Sequence, residues 1–494
     1  MQQPHRPVRL NILALPLLGR FLRWRWGRAS LQLTFLLIAA LLIIDGFTGP
    51  QVAPRNLATV LPWVHYRGII ILVLLLAGNF FCMVCPFHVP RSLAKRLSSR
   101  GPRFPRYFRN KWVSIASLFT IFFLYEWLDL WASPFLTAWV IVAYMLAAFV
   151  LDAFFQESPF CKYVCPLGAF NFAYSTLAPT QIQVTNPQIC AHCQGKECVN
   201  GSWSAEAVVR VDTIPVQTAD GATVYEKRHV EHGKQGVLGC PTLLFPPQIQ
   251  SNMDCILCLD CVRACPHQNI ALAVRQPMRE LLQPDVWPKR WDFSLFIIIL
   301  AFMGVMNAFG MVPPVYVLQE QLAQFLNIRS EFIILLLVFL VGNIVLPVAL
   351  ILLTAYVTRA LTRTQLPLRH IVAAFAPSFV PLGFGIWFAH YVFHFLITPL
   401  SIIPVVQEFL GQKGEWARFS ASVNADVISF MQALALLGGF AMSLFIAQKV
   451  ALRLFKRDGL LGFMPWAFVL LLLMAVAFAI FTLPMEMRGS ALMG

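Results

Sequence analysis

The chain has 494 residues, 58% of them hydrophobic and only 12% charged, which excludes an ordinary soluble globular protein. Forty-two Phe and 13 Trp suit lipid-facing helices with aromatic belts. The formal charge of +15 does not signal nucleic-acid binding, because the Lys and Arg gather beside apolar spans, where they set topology.

In chain order, residues 1–30 read as a basic segment lying on the cytoplasmic membrane surface, with Arg6, Arg9, Arg20, Arg23, Arg25 and Arg28 among Leu, Phe and Trp. No short apolar run with a small-residue cleavage site follows, so a removed signal peptide is not expected. Residues 31–179 read as a four-helix membrane bundle, with spans near 31–47, 68–81, 113–131 and 135–155. Between the second and third, Arg91 to Lys111 holds eight Lys or Arg and no acid, which by the positive-inside rule makes that loop cytoplasmic. The second span ends on CMVCP (Cys82 to Pro86) and the fourth on CKYVCP (Cys161 to Pro166). Both Cys-Pro motifs therefore face the cytoplasm, as a parallel internal repeat.

Residues 180–290 follow without an intervening span. They contain C-x2-C-x2-C-x3-C-P at Cys255 to Pro266, the run that wraps a cubane iron-sulfur cluster. One short loop supplies three thiolates, and the fourth cysteine, carried away by the Pro, serves a neighbouring cluster. The partner set is Cys190, Cys193 and Cys198, with a lone Cys240-Pro241. The simplest pairing gives two [4Fe-4S] clusters, one on Cys190, Cys193, Cys198 and Cys265, the other on Cys240, Cys255, Cys258 and Cys261. Zinc favours paired C-x2-C knuckles and does not call for this run, and disulfides are disfavoured in a cytoplasmic segment. Four residues separate Cys193 from Cys198 and 41 separate Cys198 from Cys240, both longer than in the short ferredoxin pattern. Val208, Val209, Val211 and Ile214, an Ala-Asp-Gly turn and Val224-Tyr225 predict a small hairpin in that insert, covering a cluster or receiving a partner.

Residues 291–494 read as a five-helix bundle with spans near 292–311, 331–356, 371–398, 427–448 and 460–483. Arg359, Arg363 and Arg369 mark one inner loop and Lys449, Arg453, Lys456 and Arg457 another, so the C-terminus falls outside. Pro377 and Pro381 are expected to break one helix, and Val315 to Phe325 to form an amphipathic helix on the outer surface. The expected fold class is mainly α: a polytopic helical membrane protein of about nine transmembrane helices with an inserted α+β two-cluster ferredoxin-like module.

Cys82, Cys85, Cys161 and Cys165 are the remaining cysteines. Four thiols converging from a repeated element could ligate a third iron-sulfur centre, act as redox thiols, or pack inertly, and all three readings stay open. Asp45, Glu126 and Asp129 near the outer ends of spans, with His65 in an outer loop, are candidate proton acceptors of a quinone site. The plainer reading, that they cap or anchor helices at the interface, is the stronger. His390 and His394, at i and i+4, share a helix face, and Glu486 falls on the same outer side with Met485 and Met487. Copper, haem, quinone or simple packing are open for them. No C-x-x-C-H is present, so any c-type haem would belong to another subunit.

The two hairpins ending in Cys-Pro motifs, the second reading CKYVCPLGAFN, followed by a two-cluster segment, resemble the membrane polyferredoxins of the NapH, NosR and CcoG type over about residues 31–275. The resemblance implies one-electron transfer between the quinone pool or a cytoplasmic donor and a periplasmic redox partner such as a c-type cytochrome, in a bacterial inner membrane. The first motif departs from that pattern in being C-x2-C-P. A second expected class is an assembly factor that reduces a metal or thiol while a periplasmic or membrane metalloenzyme matures, for which the outer His and Met residues speak.

Overall fold

The structure, a computed structural model, describes residues 8, 10–24, 26–90, 101–155, 158–201, 208–217, 222–232, 237–283 and 287–485. Seven helical segments among them are long and apolar enough to cross a membrane. They are Gly27–Thr48 (α1), Leu57–Ala77 (α2), Pro134–Phe154 (α4), Trp291–Phe309 (α6), Glu331–Thr362 (α7), Leu368–Ile397 (α8) and Ala425–Thr482. The last consists of Ala425–Phe455 (α9) and Gly459–Thr482 (α10), separated where Lys456 takes φ +52°. The sequence led us to expect nine. Trp112–Trp127 (α3) has 16 residues, about 24 Å of helix against a hydrocarbon core of about 30 Å, and α9 and α10 count as one segment because only the 3-10 turn Lys456–Asp458 lies between them. One further helix, Pro166–Tyr174 (α5), matters below.

Two features differ from expectation for identifiable reasons, and a third proline is absorbed in the same way. His65 lies inside α2 and not in an outer loop, because Asn56 caps the helix eleven residues earlier than the apolar pattern suggested and a π-turn at Leu61–Tyr66 absorbs Pro62. In α8, Pro377 produces only a 3-10 turn, Ala376–Ser378, and the helix continues through Pro381. A π-turn at Val341–Val345 in α7 accommodates Pro347, which cannot donate to the ladder. The expected amphipathic helix is present as Pro314–Leu326.

Helices α6 and α8 form the centre: 83% and 89% of their most apolar stretches are buried, whereas only 22% of that of α4 is. They meet closely because Gly383 stands where a Cβ would come 2.9 Å from Ala301 Cβ, and Trp387 Nε1 donates to Leu300 O at 3.0 Å.

Outside the bundle sits a cysteine-rich unit. Thr180–Val184 (β1) pairs antiparallel with Ile270–Val274 (β4), with Thr180 opposite Val274. The insert forms the expected hairpin, Val208–Gln217 (β2) with Thr223–His232 (β3), and its turn lies outside the described residues. Residues 10–13 of the basic N-terminal segment, expected on the membrane surface, join β4 instead: Val274 N donates to Leu10 O, Asn11 bridges Ala273, and Leu13 is buried. The following helix, Pro16–Arg23, does expose Leu17 and Leu18.

Candidate functional site

Two cavities lie in the cysteine-rich unit. One is lined by Cys190, Cys193, Cys198 and Cys265, together with Pro266 and Asn269. The other is lined by Cys240, Cys255, Cys258 and Cys261. The spacing of the cysteines predicts these same two quartets.

The backbone is bent to make these cups. Lys196, Leu243, Asp254, Leu257, Leu259 and Gln268 all take positive φ, each within three residues of a cysteine. Left-handed non-glycine residues cost about 1–2 kcal/mol apiece and gather where the surrounding structure needs them. Here the curl turns N–H groups toward sulfur: Leu244 N to Cys240 Sγ at 3.3 Å and Asn269 N to Cys265 Sγ at 3.4 Å. Asn269 also sends its side-chain Nδ2 to Cys190 Sγ at 3.2 Å, so one residue, by its backbone and its side chain, addresses two corners of the first cavity.

Burial pushes the Cys190 thiol up to about 11 and those of Cys198 and Cys255 to about 12, and raises Cys258 and Cys261 well above the ordinary range. Thiolates at these positions need compensating positive charge, which a bound metal supplies. None of the twelve cysteines forms a disulfide. Among the described residues, no three His, Cys, Asp or Glu side chains close together in the geometry that would hold a metal ion. The cysteines surround cavities and do not converge on a point.

The Cys-Pro motifs end the short helix Phe80–Val84 and the π-turn Phe160–Val164. Cys82 is reached by Asn171 Nδ2 at 3.4 Å, and Asn171 lies on α5, which Cys165 caps by accepting from Gly168 N at 3.3 Å. Cys161 is within electrostatic reach of Cys82, Cys85 and Cys165. Burial raises all four, Cys82 to about 12 and Cys165 to about 11.

The other candidates scatter. Asp45 Oδ2 accepts from Leu57 N at 2.6 Å, capping α2, and Asp129 accepts from Trp131 Nε1 in an exposed turn. His65 lies between the carbonyls of Val60 and Pro399, 3.2 Å from each. Glu126 is buried where α3 approaches Gly310. His390 and His394 share a hydrogen bond, Nε2 to Nε2 at 3.1 Å, in the buried face of α8. Glu486 lies outside the described residues.

Pattern reading passed over Arg67. It is buried, its guanidinium 4.4 Å from the Trp63 ring, 4.5 Å from Tyr125 and 5.2 Å from Tyr391, and it is within electrostatic reach of Glu126 and His394. A lone Arg at the start of an apolar run was the available signal, since ionisable groups inside membranes are costly.

The fold and site thus define a class: a mainly helical protein with seven helical segments long and apolar enough to cross a membrane among its described residues, whose twelve cysteines fall into two cavity quartets and the pair of Cys-Pro motifs. No known protein family, no curated protein and no solved structure matches the chain significantly.

Proposed function

We propose that the chain is a membrane-bound iron-sulfur electron-transfer protein, linking the quinone pool or a cytoplasmic donor to a periplasmic redox partner such as a c-type cytochrome. The observation that carries this reading is the pair of cavities, each lined by four cysteines drawn from the sequence spacing that suits a cubane. A bound cluster would supply one-electron redox chemistry; the chain's own residues position it, hydrogen-bond its ligand sulfurs and exclude water. In this reading α3 crosses with α9 and α10 as separate spans, giving nine. The cysteine-rich unit faces the cytoplasm of a bacterial inner membrane and the C-terminus the periplasm. Arg67, walled by three aromatic rings near Glu126 and His394, supports the quinone end, because a fixed buried cation can hold a quinone oxygen.

The test is anaerobic purification of the full chain followed by iron and acid-labile sulfide assay and low-temperature EPR after dithionite reduction. Cys193→Ala and Cys258→Ala are each expected to remove about four irons and one spin system. Zinc at one or two per chain with no labile sulfide would sink the reading.

A further inference from the structure

The eight cysteines of the two cavities leave one group unused. Cys82, Cys85, Cys161 and Cys165 come from two sequence-distant motifs, and a polar tie and an apolar cluster bring the two motifs together. Asn171 ties Cys82 to α5, whose first turn Cys165 caps. Phe87, which follows the first motif, packs on Tyr144 at 5.7 Å between ring centres, and Tyr144 packs on Phe160, which precedes the second motif, at 5.9 Å. Cys161 and Cys165 share one apolar cluster with Phe87 and Phe160.

The local construction repeats that of the two cavities. Cys85, Cys165, Cys240 and Cys265 are each followed by Pro, and each sulfur faces backbone N–H groups two to four residues on: Phe87 and His88 for Cys85, Leu167 and Gly168 for Cys165, Leu244 for Cys240, and His267 to Asn269 for Cys265. Asn171 on Cys82 matches Asn269 on Cys190, an amide donating to sulfur at 3.4 and 3.2 Å. N–H donors aimed at sulfur are the interactions that tune cluster ligands.

This group is also stitched to the second cavity. Asn79 contacts Cys82 and donates Nδ2 to Cys255 O at 3.0 Å. Lys162, inside the second motif, donates to Thr242 O at 2.7 Å, and Thr242 Oγ1 is 3.5 Å from Cys240 Sγ. Lys111 bridges Asp254, at 2.6 Å, and the carbonyl of Lys162, at 3.3 Å. The second cavity is in turn next to the first, since Cys240 N donates to Cys198 O at 3.0 Å.

We infer that Cys82, Cys85, Cys161 and Cys165 ligate a third iron-sulfur centre, placed where α2 and α4 leave the bundle and joined through Asn79 and Cys255 to the second cavity. The inference rests on the iron-sulfur reading of the other eight cysteines. With centres bound, the three groups would form a relay ordered from the first cavity through the second to the bundle, the chain's residues fixing their spacing and the centres supplying one-electron chemistry.

The experiment compares the full chain with Cys82→Ser/Cys161→Ser, purified anaerobically, by iron, sulfide and zinc assay and by EPR at graded potentials. About twelve irons in the wild type falling to about eight in the variant, with two spin systems kept, is the expected result. About eight irons in both proteins would overturn the third centre and leave the two-cluster reading standing, whereas no iron in either would overturn that reading itself. One zinc in place of the third set of irons would also overturn the inference. Asn79→Leu serves as a second probe that does not depend on the folding of the double variant. It keeps all ligands, and the expected result is full iron with a shifted midpoint potential and weakened spin–spin broadening for one pair of centres. Full iron with an unaltered spectrum and potential would count against the relay through Asn79.

Discussion

Arg28, in the first turn of α1, donates to Asp260 at 2.8 Å and to Cys258 O at 3.0 Å, and Arg263 holds the other oxygen of Asp260 at 2.5 Å. Two cations and one carboxylate therefore sit at the loop that lines the second cavity, leaving a net positive charge beside it. Positive charge favours the reduced, more negative state of a nearby centre. Arg28→Gln is expected to lower the midpoint potential of the centre on Cys258, with Arg28→Lys in between and iron content unchanged. Redox titration followed by EPR reads this, and equal potentials at full iron would reject it. The residues themselves were unevenly legible. Cys255, Cys258 and Cys261 announce themselves because ligand spacing is a local property of the chain. Arg28 does not, because its partner lies 232 residues away, and Lys111 meets Asp254 across 143. In the sequence both read as topology charges.

At the scale of elements, α2 shows how a helix can be mostly legible and still begin elsewhere. Its apolar stretch was plain, but its start is set by Asn56 and by Asp45 reaching across from α1, contacts that hydropathy does not report. Its end is set by Gly78, whose φ of +74° turns the chain toward Cys82; a Cβ there would meet Thr180 Oγ1 at 3.0 Å. Gly78→Ala should therefore cost about 1 kcal/mol or more and lower the iron bound by the Cys82 group before that of the two cavities. The loop before α2 is also clasped from outside the bundle. Arg55 forms a forked pair with Glu408, Nε to Oε2 at 3.0 Å and Nη2 to Oε1 at 2.8 Å, and Trp416 Nε1 donates to the same carboxylate. The hydrogen bonds from Arg55 hold Glu408 below the usual carboxylate range. Its contribution is thus present above the ordinary glutamate pKa of about 4.3 and is lost as pH falls through the lowered value. Half of the Arg55 side chain is in solvent, so Arg55→Ala should cost at most about 1 kcal/mol, and the cost should vanish in acid and shrink in high salt. Thermal unfolding in detergent at pH 7 and at a falling series of acid pH values measures this, and a loss that stays constant down the series would show packing and not charge to be the cause.

For the whole molecule, the question is what makes bundle and cysteine-rich unit one body, since a relay between them requires fixed distances. The joint is a buried polar network centred on Arg275 and Glu280, whose side chains are 2% and 1% exposed and pair at 2.7 Å. Arg275 also donates to Thr176 O and Ala178 O, just beyond α5, and Glu280 accepts from Asn252 N. Asn252 then donates to Ser175 O and Thr180 O, both at 2.8 Å. One network thus grips the end of α5, the start of β1 and the chain leading to Cys255. The sequence showed the two parts but not this joint, because neither residue belongs to a motif and their importance comes from burial. Removing one partner of a buried pair leaves the other charge uncompensated, which costs about 3–5 kcal/mol, whereas replacing both by apolar residues of similar size is nearly neutral. Arg275→Met should accordingly lower the thermal midpoint sharply and open the 175–180 segment to proteolysis. Arg275→Met/Glu280→Leu should recover most of the loss. If the double variant is as unstable as the single, the carbonyl contacts of Arg275 hold the joint and the ion pair does not. If the single variant is as stable as the wild type, the unit is anchored elsewhere, and the fixed spacing between the second cavity and the Cys82 group must come from Asn79, Lys111 and Lys162 alone.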